Sequence, residues 1–275
     1  TEGSDTFYHT VTGGAIISGS VSAIDMTASN VYVTGNIGIG EYAGYRITTG
    51  LCNVIIGRSA GANVTTGVKN IIIGAFAGAS STDIDKSVVI GYSAMGSGAT
   101  SDADGTIAIG NNALLSLTSG IGNVAIGNQA LESEDDGDYN TAVGHQALTA
   151  QTGTSGTVAN TAIGHHALTR LTTGTTNTAV GQASQDYNRT GVNNTSVGKD
   201  ALATATTADQ NTAVGYDALT ATTTGDYDTA VGAYALTSNT TGGSNVAVGR
   251  YSMGLNTTGS SNTAIGRNSL AANTT

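Results

Sequence analysis

Proline and tryptophan are absent from this 275-residue chain, phenylalanine occurs twice and cysteine once, and charge is sparse, with 9 basic and 19 acidic residues. Charged residues make up 10% of the chain, against about 25% in an average globular domain. A large core without tryptophan needs aliphatic residues in long runs, and the apolar segments here are all short. For the same reason no transmembrane helix fits, and residues 1–20 have neither the basic start nor the apolar stretch of a signal peptide. The chain does not begin with Met, so a processed product or a segment of a longer polypeptide is expected. The net charge of −10 argues against nucleic acid and anionic membranes as partners, since both reward clustered Lys and Arg. Lone Cys52 excludes an intrachain disulfide framework. Collagen needs proline and glycine at every third position, and disorder needs fewer β-branched residues than are present. What remains is a repetitive β protein.

The repeat has the form Asn-Thr-Ala-Val-Gly-x-x-Ala-Leu. Its central glycine stands at Gly40, Gly57, Gly74, Gly91, Gly110, Gly127, Gly144, Gly164, Gly181, Gly198, Gly215, Gly232, Gly249 and Gly266. Eleven of the thirteen spacings are 17 residues, and the others, 19 and 20, are insertions. Ile or Val precedes the glycine in all fourteen units, and a β-branched residue stands two positions earlier. In a strand these two side chains share a face, and the residue between them, usually Ala, lies on the other. Asn occupies the fourth position before the glycine in eleven units, where a short polar side chain bonded to its own backbone marks a turn entry. Ala or Ser stands three residues after the glycine and is followed in most units by Leu or Met, which predicts a second short strand. Ten residues after it, glycine recurs in nine of thirteen units as a second corner.

Two short strands and two corners per 17 residues predict an all-β parallel β-solenoid of about fourteen coils over residues 36–275, a rod of roughly 65 Å at ~4.8 Å per coil. Residues 1–35 break the period and are expected to form an irregular β cap or connector. Small residues fill the interior, so the Ile and Val stripe has no place inside its own chain. An exposed apolar stripe of that length is an aggregation surface, and closed association of identical rods removes it. A homo-oligomer is expected. The last coil has no polar capping element, so end-to-end stacking or further polypeptide is expected there.

Segments such as Asn211-Thr212-Ala213-Val214-Gly215-Tyr216-Asp217-Ala218-Leu219 resemble the repeat region of phage-type tail fibres and are similar to the head repeats of trimeric autotransporter adhesins. The run Val31-Tyr32-Val33-Thr34-Gly35-Asn36-Ile37-Gly38-Ile39-Gly40 resembles the segment leading into such repeats. The resemblance covers residues 31–275. It implies a left-handed β-roll, a trimeric state and a structural role in a virion tail fibre or at a cell surface, with a carbohydrate or protein receptor as partner. The adhesin repeats are usually shorter than 17 residues, and no chaperone-like C-terminal domain of the tail-fibre type is present. An extracellular filament or bacterial trimeric adhesin of head-to-tail stacked solenoids is the alternative, and the threonine-rich strands raise ice binding as a remote one.

Variable positions are where such a repeat places function. The residue after the central glycine varies freely, which marks it as solvent-facing. His145 and His165 stand there in successive units with His166 beside the second, a set able to hold a transition metal, although an exposed polar ladder is the simpler explanation because no carboxylate or Cys accompanies them in the motif. Tyr92, Tyr216, Tyr234 and Tyr251 lie near the same corner and are candidates for stacking on sugars, with plain surface tyrosines as the simpler explanation. Asp83 and Asp85, Asp102 and Asp104, and Asp136 and Asp138 fall together at another corner, a candidate calcium site, with a solvated acidic edge as the simpler explanation. The insertions, Gly96 to Gly105 and Thr149 to Ala159, protrude from the rod as contact loops. Catalysis is not expected: there is no phosphate-loop motif, and Cys52 has no His near it in sequence.

Overall fold

The computed structural model describes residues 35–152 and 156–275, so most of the expected cap at 1–35 lies outside the described residues. Fourteen three-residue strands, from Ile37–Ile39 to Thr263–Ile265, form one parallel sheet in chain order. Successive strands pair without register slip: Val54 lies beside Ile71, and Thr178 beside Thr195. The fourteen strands bound thirteen turns of an all-β parallel solenoid, in agreement with the 17-residue period.

Both insertions leave the sheet undisturbed. Val88 pairs with Ile107 across the 19-residue spacing, and Thr141 with Thr161 across the 20-residue one. The extra residues are taken up at the far corner. Ser101–Ala103 make a 3₁₀ turn there, and Gly156–Thr157 pair with Gly137–Asp138 as a separate two-stranded piece.

The middle residue of each strand points inward, and from Ala108 to Ala247 it is fully buried. The flanking Ile, Val and Thr point outward: Ile71 and Ile163 are each 41% exposed and Val197 39%. The Ile and Val face is therefore unburied within its own chain, as the period-two alternation predicts.

The predicted second strand is not there. Ala130 and Leu131 are both fully buried, and adjacent residues of a strand cannot point to the same side. Instead Gln129 and Leu131 take left-handed backbone angles, with φ of 57° and 51°. The Gln129 N–H thereby donates to Asn111 O of one neighbouring coil at 2.9 Å, and the Leu131 N–H to Ala147 O of the other at 3.0 Å. The left-handed conformation costs roughly 1–2 kcal/mol per residue. Burial of the leucine and bonds to both neighbours offset it.

The repeated Asn also differs from its expected role. Rather than closing its own turn, the buried side chain of Asn177 spans the coil: Nδ2 donates to Gly191 O at 2.7 Å, and Oδ1 accepts the N–H of Asn194 in the next coil at 3.0 Å. Asn53, Asn70, Asn160 and Asn194 repeat the pattern. A side chain with both donor and acceptor can satisfy two backbone groups that burial would otherwise leave unpaired.

One layer of the interior is polar. Ser184, Gln185 and Ser196 stand where most other units have Ala, Leu and Ala, and together with Asn188 they are fully buried. Gln185 Nε2 donates to Ser196 Oγ at 2.8 Å and to Thr178 O at 3.0 Å, Asn188 Nδ2 donates to Gln185 Oε1 at 3.1 Å, and the Ser184 and Ser196 hydroxyls are 2.5 Å apart. Apolar cores lie on either side of this layer.

Candidate functional site

The first and second residues after each central glycine form the corner that follows the outward strand face. The glycine itself makes this corner tight. Gly144 has φ of 142°, and a Cβ on it would lie 2.4 Å from Gly164 O. Stacked corners therefore bring equivalent side chains of successive coils into contact. All seven His and Tyr candidates occupy these two positions and lie on one stripe along the rod.

Tyr216 meets Tyr234 edge to face at 5.2 Å, and Tyr234 stacks on Tyr251 at 4.7 Å with an interplanar angle of 5°. Cations flank the row, with Lys199 Nζ 5.4 Å from the Tyr216 ring and Arg250 4.8 Å from that of Tyr251. Lys199 also pairs with Asp200 at 2.5 Å, and that bond holds its ammonium above the usual lysine range. Tyr92 lies apart from this row, edge to face with Phe76 at 5.8 Å, and Arg58 covers the other ring. Phe76 and Arg58 belong to the same stripe, and their signal in the sequence is the same free variation after the central glycine.

His145, His165 and His166 stack nearly parallel. Their ring centroids are 5.3, 5.8 and 4.0 Å apart, and their nitrogens lie within 4.8 Å of one another. Burial and then the neighbouring His165 hold the His166 imidazole below the usual histidine range, against the pull of Asp186. Asp186, on the next coil, has Oδ1 buried without a hydrogen-bond partner. Its burial raises its pKa, against the opposing effects of Arg170 and His166. No pattern in the sequence pointed to Asp186, because it lies five residues past its glycine, outside the corner.

The acidic candidates divide differently. Asp85 accepts the Val68 N–H at 2.7 Å, Asp104 the Asp85 N–H at 2.6 Å, and Asp138 the Ile121 N–H at 2.9 Å. Each of these carboxylates thus caps a neighbouring coil. Asp209 and Asp226 do the same farther along. Asp83 and Asp102 lie beside this row without such a bond to the backbone of a neighbouring coil. Asp136 groups with Glu134 and Asp135, whose carboxylate oxygens lie within 4.8 Å of one another. Glu134 is fully buried and its Oε1 accepts the N–H groups of Asp135, Asp136 and Gly137. Desolvation outweighs those bonds and pushes its pKa up to about 7.

Among the described residues no helix is long and apolar enough to cross a membrane. No protein family's sequence profile matches the chain, and neither a curated protein nor a solved structure matches it. Architecture and site together define its class as a parallel β-solenoid repeat protein with a polar and aromatic corner stripe.

Proposed function

We propose that the chain is the shaft of an extracellular fibre of the phage tail-fibre type, assembled as a homotrimer of left-handed β-rolls. Its role is mechanical rather than catalytic: it holds a receptor-binding end at a distance, and its corner stripe and inserted loops contact a cell-surface carbohydrate or protein. The observation that carries this reading is the outward sheet face. All 28 flanking strand positions are Ile, Val or Thr, none is charged, and they form a continuous band roughly 65 Å long. A surface of that size and composition is an interaction surface in a stable protein. Because the face runs the length of the rod, identical copies can meet along it side by side, and closed rotational symmetry limits the assembly to a discrete particle. The exposed Tyr216 and its neighbours offer flat rings with flanking cations, a surface suited to sugars.

Sedimentation of the purified chain tests the assembly. The expected species is three times the 27.1 kDa chain mass, and electron micrographs should show rods of uniform length. A stable monomer would overturn the proposal, and rods of unlimited length would replace it with a stacked filament. Substituting Ile109 and Ile126 together by Glu should dissociate the trimer, because neither side chain is needed inside its own coil.

A further inference from the structure

We propose that His145, His165 and His166 bind a divalent transition-metal ion of the zinc, nickel or copper class. Three of the chain's four histidines meet in this cluster, and their nitrogens already lie within 4.8 Å of one another. The backbone fixes the arrangement. The His166 N–H donates to His145 O at 3.1 Å, and the Ala183 N–H to His165 O at 3.0 Å, so the three residues hold their places on two stacked corners despite the 20-residue spacing between their units.

A tetrahedral zinc ion with bonds of about 2.0–2.1 Å needs its ligand nitrogens about 3.3 Å apart. Parallel rings do not aim their lone pairs at one point, so the rings must turn about their side-chain bonds to converge. His145 and His165 are exposed and free to turn on the nanosecond scale. Three imidazoles with no cysteine select borderline transition metals over calcium or magnesium, which favour oxygen.

Asp186 adds a second, independent feature. Its buried Oδ1 has no hydrogen-bond partner, and its carboxylate interacts electrostatically with Arg170 and, less strongly, with His166. A carboxylate in this place can take the ring N–H that a metal-bound imidazole leaves over, which fixes the ring and strengthens it as a ligand. Asp186 is thus a positioning residue. The site lies on the corner stripe and requires neither the proposed trimer nor a receptor.

Calorimetric titration of the EDTA-treated, dialysed chain with zinc chloride and nickel chloride tests the site. One ion per chain is expected, with calcium chloride giving no binding. Loading with cobalt should produce a visible ligand-field spectrum that disappears in His165→Ala and His145→Gln, both substitutions at exposed positions that leave the core untouched. Absence of saturable binding, or binding that these variants leave unchanged, would overturn the proposal. Asp186→Asn should weaken zinc binding about 10- to 100-fold. An unchanged affinity would remove Asp186 from the site.

Discussion

Ile72 and Gly78 face each other inside one coil, and a methyl group placed on the glycine would stand 3.6 Å from Cδ1 of the isoleucine. The same pairing recurs one coil earlier, where a Cβ on Gly61 would stand 3.2 Å from Cδ1 of Ile55. In later coils the bulk changes sides: Ala108 is opposed by Leu114 and Ala125 by Leu131, all fully buried. Strand and corner share one interior volume, so bulk removed from one side can be supplied from the other.

Ile72→Ala should therefore cost about 2–5 kcal/mol through the cavity it leaves. Adding Gly78→Leu restores the arrangement of the later coils, whose leucines already adopt the left-handed backbone angle found at Gly78. The double variant should recover more than half of the loss in thermal melting, whereas simple additivity would show that the two positions do not share a volume.

Glycines differ in what they carry. Gly249 has φ of 128° and a Cβ there would lie 2.6 Å from the Gly266 carbonyl, so Gly249→Ala should cost more than about 3 kcal/mol. At Gly254 the nearest atom would be 3.4 Å away, so Gly254→Ala should change stability by no more than about 0.5 kcal/mol. Paired melts of the two variants measure the contrast.

Two buried carboxylates make the fold sensitive to pH. Desolvation raises Asp228, which stands in the asparagine ladder, to about 6, and Glu134 to about 7. A raised acid keeps its proton in the folded chain while the unfolded chain releases it. Stability is then full below the unfolded values near 4 and is lost as pH rises through 6 to 7. Each group should account for up to about 3 kcal/mol between pH 4 and pH 8. Asp228→Asn restores the usual ladder residue, so it should flatten the pH dependence of the melting temperature and raise it at pH 8. Glu134→Gln should flatten the rest.

The polar layer should respond non-additively. Gln185→Leu alone removes the hydrogen bonds that Gln185 makes with Ser196, Thr178 and Asn188 and should cost about 1–3 kcal/mol. Changing Ser184, Gln185 and Ser196 together to Ala, Leu and Ala gives the apolar interior of the other coils and should raise the melting temperature above the wild type. A triple variant no more stable than the single one would show that the layer is held by packing rather than by its hydrogen bonds.

The outward Ile and Val face was legible because strand alternation has a period of two and all fourteen units obey it. The corner stripe was legible too, since its positions vary while the repeat around them does not. The Ala-Leu segment was misread as a strand because small and apolar residues satisfy several local conformations. The two inward side chains in succession, Ala130 and Leu131, were the signal against it. Asn177 was read as a local turn former, because nothing along the chain reveals that its bonding partners are Gly191 and Asn194.

By itself, then, the sequence determined the period, the parallel stacking, the face that stays outside and the residues placed at each corner, because a 17-residue repeat can close only by returning each unit to the same register. Only the tertiary structure decided the left-handed backbone angles at Gln129 and Leu131, the asparagine ladder, the carboxylate caps and the electrostatic influence of Asp186 on His166. All of these depend on contacts between different parts of a coil or between stacked coils, where hydrogen bonding and burial outweigh the local preferences that a sequence displays.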